Sequence, residues 1–312
     1  LSVIKAIFTS HTIRSIEVFS EHVTNILDGY DKVFIHDFPL IKYCSHIRQE
    51  KVFFICDSQI KLINSYLKNE KNIIKGFILK YKKLIYKRMI SKYHRDFGKL
   101  LYISEVDKEY DKGIFPFLQE VDNINNGVNF EYFTPSSSTD YEFDIIFLGN
   151  FSYRPNYEAA SHLVKKIVPE LVKNNPDFRC IIVGKNPSKK LMDNSMKDNI
   201  IFTGFVEDIR IYLDKAKVFV SPLYSGAGMK NKILEAMAMN KLIIASDISY
   251  EGLNLNEDDC LLRANSDREF IEKIEKVLIN FESEFISLNN RKIAKEMYSW
   301  EKQAGDLLKI IK

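Results

Sequence analysis

The sequence predicts an α/β protein made of two doubly wound, parallel-sheet domains. Short apolar runs alternate with longer stretches of helical period, the pattern of repeated βα units. The runs lack polar–apolar alternation, as expected of strands covered on both faces. A chain of 312 residues, 46% hydrophobic and 28% charged, has room for about two domains that each bury a core.

In the first half the strand-like runs are KVFIH (32–36), KVFFIC (51–56) and KLLYIS (99–104). In the second half they are FDIIFLG (143–149), RCIIVG (179–184), NIIFTG (199–204), KVFVSP (217–222) and KLIIAS (241–246). The stretch TPSSSTD (134–140) has linker composition and marks the boundary. Just before it, Asn126-Gly127 reads as a turn, because glycine tolerates positive φ. Ligands of parallel sheets collect at the carboxyl ends of strands, so a cleft between the two sheets is the expected binding region.

The four cysteines (Cys44, Cys56, Cys180, Cys260) and six histidines are scattered. That argues against a disulfide framework or a clustered metal site and fits a reducing compartment. No apolar run reaches the ~18–20 residues of a membrane span. No signal peptide is visible, but the chain begins at Leu1, so its absence excludes little.

Net charge is +3, unevenly placed. Residues 68–99 hold eleven Lys/Arg against Glu70 and Asp96. Ile73, Ile74, Phe77, Tyr81, Leu84, Ile85 and Met89 recur there at helical spacing. The segment reads either as an amphipathic helix on an anionic membrane surface or as a helix that covers the first sheet with its outer face solvated. Basic residues confined to one element, with no recognition motif, argue against nucleic acid.

The most informative segment is SPLYSGAGMKNKILEAMAM (221–239). A strand ends at Ser221-Pro222, Gly226 and Gly228 form a turn, and a helix starts near Met229. Free N–H groups at a helix start, with glycines permitting close approach, make an anion site. Lys230 and Lys232 oppose the helix dipole there, which makes sense in front of a diphosphate. Glu235 shares the Lys232 face and is placed to accept from ribose hydroxyls. From pattern alone a solvated Lys232–Glu235 surface pair reads equally well. There is no P-loop and no D-x-D pair for a metal–diphosphate.

GAGMKNKILEAMAMNKLIIAS (226–246) resembles the donor-binding signature of retaining GT-B glycosyltransferases of the E-x(7)-E group, in its polysaccharide-biosynthesis subgroup. FLGNFSYRPNYEA (147–159), IIFTGFVEDI (200–209) and YSWEKQ (298–303) are similar to that group's donor-domain opening, base-side stretch and last helix. FICDSQ (54–59), YISEVD (102–107) and NNGVNFEYF (125–133) are similar to its acceptor domain and linker. The resemblance implies a GT-B fold with two Rossmann-like domains facing a cleft. Residues 1–134 would form the acceptor side, 135–290 the donor domain, and 291–312 a helix that crosses back. The group's first strand and glycine-rich loop find no match, so about a third of a usual acceptor domain is expected to lie upstream of Leu1.

By the same resemblance, Lys230, Lys232 and Arg154 neutralise the departing diphosphate without a metal or other cofactor. Gly149, Asn150, Gly226, Gly228 and Met229 line the donor site, Phe205 and Val206 lie against the base, and Glu235 takes the ribose. For Arg154 a plain surface role, and for Phe205 and Val206 a core role, fit the residues equally well. On the acceptor side His36, Asp37 and Asp57 sit at expected strand ends facing the cleft; for His36 a plain loop role fits as well, and no protein general base is required. Cys44, Cys56 and Trp300 read as packing residues. Ala227 stands where the signature's first glutamate belongs.

The implied function is retaining transfer from a nucleoside-diphosphate sugar to a glycan or lipid-linked acceptor in cell-surface polysaccharide assembly. The place implied is cytoplasmic, peripheral on the inner face of the membrane. The alternatives are a degenerate, non-catalytic GT-B binding module, which Ala227 would suit, and a GT-B sugar-nucleotide epimerase.

Overall fold

A computed structural model describes residues 26–27, 29–36, 47–96, 99–118, 121–136, 140–193, 198–255, 261–282 and 289–311. Asp37, Cys44 and Cys260 lie outside them. The chain forms two compact units, Leu1–Ile124 with Ile311 and Asn125–Ile310 with Lys312.

The first unit carries a parallel sheet in the order β1-β2-β3-β4, with β1 Lys32–His36, β2 Glu50–Ile55, β3 Lys99–Tyr102 and β4 Asp122–Asn123. Its helices are α1 Gln59–Asn69, α2 Ile73–Tyr93 and α3 Glu105–Lys112. Ser58, Asn72 and Ser104 cap them, each side chain accepting a backbone N–H three residues on. Phe53, Ile55, Ile60, Ile90 and Tyr102 are at the centre of the core. Beside them Asp111 accepts from Ser58 Oγ at 2.6 Å and Tyr102 Oη at 2.9 Å. Burial nonetheless pushes the Asp111 carboxyl up to about 6.

The second unit has six parallel strands in the order β10-β9-β8-β5-β6-β7. They are β5 Phe143–Leu148, β6 Cys180–Val183, β7 Ile200–Gly204, β8 Ala216–Ser221, β9 Leu242–Ala245 and β10 Leu261–Arg263. The helices are α4 Arg154–His162, α5 Val168–Asn174, α6 Lys189–Asp193, α7 Arg210–Asp214, α8 Asn231–Ala238, α9 Asp247–Tyr250, α10 Asp267–Ile279, α11 Asn290–Tyr298 and α12 Trp300–Ile311. A π-helical stretch, Leu163–Ile167, joins α4 to α5 ahead of Pro169, whose ring cannot supply a helix N–H.

Strand side chains alternate between two cores. Ile145, Phe147, Val218, Val220 and Ile244 point to one face, where α4, α5 and α10 pack. Ile146, Leu148, Phe219 and Ile243 point to the other, against α8 and α11. Both faces are apolar because both are covered, which explains the unbroken runs in the sequence.

Val128 and Phe130 bury in this second core, so its packing begins ahead of the Thr134 expected as the boundary. Gly127 serves a purpose other than a turn. It is absent from the glycines with positive φ, and a Cβ on it would fall 2.6 Å from Trp300 Cδ2. Trp300 packs on that backbone while remaining half exposed, and Cys56, expected to pack, is exposed.

Candidate functional site

The second sheet reverses its winding between β5 and β8. The chain leaves β5 toward β6 and β7 on one side and later adds β9 and β10 on the other. Loops at the carboxyl ends of β5 and β8 therefore diverge, and a crevice opens between them. Those loops are residues 149–153 and 222–230, which hold Gly149, Asn150, Gly226, Gly228, Met229 and Lys230 of the residues singled out in the sequence.

Gly149 ends β5 and donates its N–H to Val183 O at 3.0 Å. A Cβ on Gly149 would meet the Asn156 side chain at 3.0 Å. Gly184, at the end of β6, has φ +138, and a Cβ there would fall 1.9 Å from Gly149 O. The end of β6 thus approaches Gly149 only because residue 184 is a glycine. Asn156, buried in the first turn of α4, donates from Nδ2 to Asn150 O at 3.1 Å. Its Oδ1 accepts from Lys232 Nζ at 2.6 Å.

Gly226 and Gly228 adopt φ +145 and +70, conformations that only glycine takes readily. They fold the chain after β8 so that Lys230 becomes the N-cap of α8. Lys230 is buried, and its Nζ donates to Ala227 O at 2.9 Å and to Gly228 O. Met229 anchors the turn in the core below. Lys232 is part-buried as a residue, and its ammonium end lies 4.6 Å from the Phe147 ring centroid. Burial, and then the neighbouring Lys230 charge, push the Lys232 ammonium down to about 7. An enclosed pair of amines at a helix start is an arrangement that an anion stabilises.

Glu235 lies one turn deeper on the Lys232 face, and among the described residues no hydrogen bond to its carboxylate is seen. Burial raises its pKa, while Lys232 lowers it. Arg154, at the start of α4, bonds from Nε to Glu158 Oε1 at 2.7 Å, and Glu158 Oε2 accepts from Ser225 Oγ at 2.8 Å. This relay ties α4 to the glycine turn.

Asn156, Glu158, Gly184 and Ser225 escaped the sequence reading. Their partners lie far along the chain, 76 residues away for Asn156–Lys232 and 67 for Glu158–Ser225. Asn156 and Glu158 follow Arg154 within RPNYE, a nearness in sequence that offered the one available signal.

Phe205 follows Gly204, whose φ is +69, and is 73% exposed at the carboxyl end of β7. Val206, by contrast, packs against the second core. In the first unit His36 ends β1, exposed and stacked on Phe54 with ring centroids 4.5 Å apart. Asp57 follows β2, so both stand at the carboxyl edge of adjacent strands. Among the described residues no cluster of His, Cys, Asp or Glu is set to hold a metal ion. No helix among them is long and apolar enough to cross a membrane.

Residues 142–280 match the family described as Glycosyl transferases group 1. A protein of Klebsiella pneumoniae, described as an uncharacterized 44.6 kDa protein in the cps region, is 24% identical over 247 residues, 76% of this chain and 62% of that protein. An uncharacterized glycosyltransferase of Methanocaldococcus jannaschii is 33% identical over 129 residues, 39% of this chain and 32% of that protein. In neither case does the match reach two thirds of the relative's length. Anabaena HepE, solved in complex with UDP and glucose, superposes with a TM-score of 0.71 at 13% identity over 94% of this chain and 80% of its own. The fold is that of the GT-B glycosyltransferases.

Proposed function

We propose, with the group 1 glycosyltransferase match over residues 142–280 as the premise, that this protein moves a sugar from a nucleoside-diphosphate donor to a glycan or lipid-linked acceptor. The observation that carries the reading is the enclosed Lys230–Lys232 pair between the loops after β5 and β8. When the bond between the sugar's anomeric carbon and the diphosphate breaks, charge grows on the leaving oxygen. Preorganised cations aimed at that oxygen stabilise the transition state more than the ground state. Lys232, held by Asn156, supplies one such cation, and Lys230 with the N–H groups at the start of α8 supplies the rest. Arg154 is the third cation proposed for the diphosphate, and Glu235 accepts from the ribose hydroxyls.

Retention of configuration is part of the proposal. The acceptor hydroxyl attacks the face that the diphosphate leaves, and its proton passes to the departing phosphate oxygen. No protein base and no metal is then needed. The acceptor would stand near His36 and Asp57, and the base near Phe205 and Val206. UDP is the first nucleotide to try, since HepE was solved with it. A role in cell-surface polysaccharide assembly, at the cytoplasmic side and peripheral to the membrane, belongs to the same reading.

Ala227 favours a second reading. It is 4% exposed and puts a methyl group where a carboxylate would stand, which suits a module that binds the donor without transferring it. The test is to incubate the protein with a panel of nucleotide sugars, with and without acceptor glycans, and follow nucleoside-diphosphate release. Release that depends on Lys232 supports transfer or donor hydrolysis. Binding with no release under any acceptor supports the module, and no binding at all removes both.

A further inference from the structure

The helix α2 has two apolar faces, and among the described residues only one of them is packed against. Tyr86, Met89, Ile90 and Tyr93 pack into the first unit's core. A third of a turn away, Ile73, Ile74, Phe77 and Ile78 are 89%, 72%, 74% and 50% exposed. At 100° per residue these four span an arc of about 140° on the first two turns. Leu84, at 44% exposure, continues the same arc. The helix start is well formed, since Asn72 Oδ1 accepts Lys75 N–H at 3.0 Å and Glu70 accepts Asn72 N–H at 3.0 Å. Four large apolar side chains in water on a capped helix end call for an occupant.

We propose that the amino-terminal turns of α2 are a membrane-insertion tip, with Ile73, Ile74, Phe77 and Ile78 entering the acyl boundary of an anionic bilayer. The proposal rests on the peripheral reading above and names the part of the molecule that carries it. Charge selects this occupant. Between residues 71 and 95 the chain holds nine Lys/Arg and no Asp or Glu. Exposed Lys75 and Lys82 border the apolar arc on one side and Lys80 on the other, where their ammonium groups meet lipid phosphates. A second copy of this chain would bring like charges together on the same face. The segment does not qualify as a span, which leaves a helix lying in the interface.

The test uses the full chain and vesicles of phosphatidylcholine with or without phosphatidylglycerol. The parent should sediment with the anionic vesicles and release them at high salt. The double change Ile74→Glu with Phe77→Glu should weaken that binding by about tenfold or more. Circular dichroism, thermal midpoint and nucleoside-diphosphate binding should stay as in the parent, since both side chains are largely exposed. A Phe77→Trp variant should keep its vesicle affinity, shift its added emission to the blue and be quenched by brominated acyl chains. A parent that ignores anionic vesicles, a double variant that binds them equally well, or an indole that stays unquenched would each overturn the tip. So would a parent dimer that the two glutamates turn into a monomer, which would make the occupant a second copy. Donor binding and sugar release are read without vesicles, so the tip and the transferase reading fail separately.

Discussion

Gly184 and Gly204 end neighbouring strands with positive φ, but they meet different surroundings. A methyl at Gly184 would collide with Gly149 O, whereas among the described residues nothing lies within 4 Å of one at Gly204. Gly204→Ala should therefore cost only the conformational term, about 1 kcal/mol. Gly184→Ala adds a backbone collision and should cost about 2–4 kcal/mol, as urea unfolding midpoints would show. Lys232 makes a pH prediction at the same scale. Its folded pKa, about 7, lies below the ordinary value of 10.5. Between those values the unfolded chain binds more protons, so the unliganded protein gains stability as pH rises through this window and loses it on the way down. Lys232→Met should remove that slope. A bound diphosphate favours the ammonium, so binding at pH 8 should take up about one proton. Calorimetric titration in two buffers of different ionisation heat would measure it.

The strands were legible because β2, β5, β6, β8 and β9 are runs of Val, Ile and Phe buried on both faces. β4 and β10, of two and three residues, carry too little pattern to be seen. In α2 the apolar spacing was readable, but not which turns meet the core, because that depends on where the sheet lies. The glycine turn and its lysines were visible, whereas Asn156, which holds Lys232, depends on a loop that only the fold brings near. The relay from Arg154 through Glu158 to Ser225 makes a prediction about elements. Glu158→Ala frees the glycine turn from α4 and should lower nucleoside-diphosphate affinity by about three- to tenfold. Stability should change by less than about 1 kcal/mol, since the ion pair is part-exposed. Glu158→Gln keeps an acceptor for Ser225 and should fall between, with titration and thermal midpoints reading both effects.

At the scale of the whole molecule, the proposed function gives the donor chemistry to cations of the chain and not to a metal. Sugar release should then persist in excess EDTA. A tenfold loss, restored by Mg²⁺ or Mn²⁺, would contradict this assignment. In the proposed function the start of α8 binds a diphosphate while Glu235 binds the ribose. Titrating uridine and UDP against the parent, Lys232→Ala and Glu235→Ala tests it most directly. Each lost charged contact is worth about 1.5–3 kcal/mol, or roughly ten- to a hundredfold in affinity. Lys232→Ala should weaken UDP binding alone, Glu235→Ala should weaken uridine and UDP alike, and neither variant should unfold. Parent-like affinities in both variants, with stability lost instead, would contradict it and return the two residues to packing.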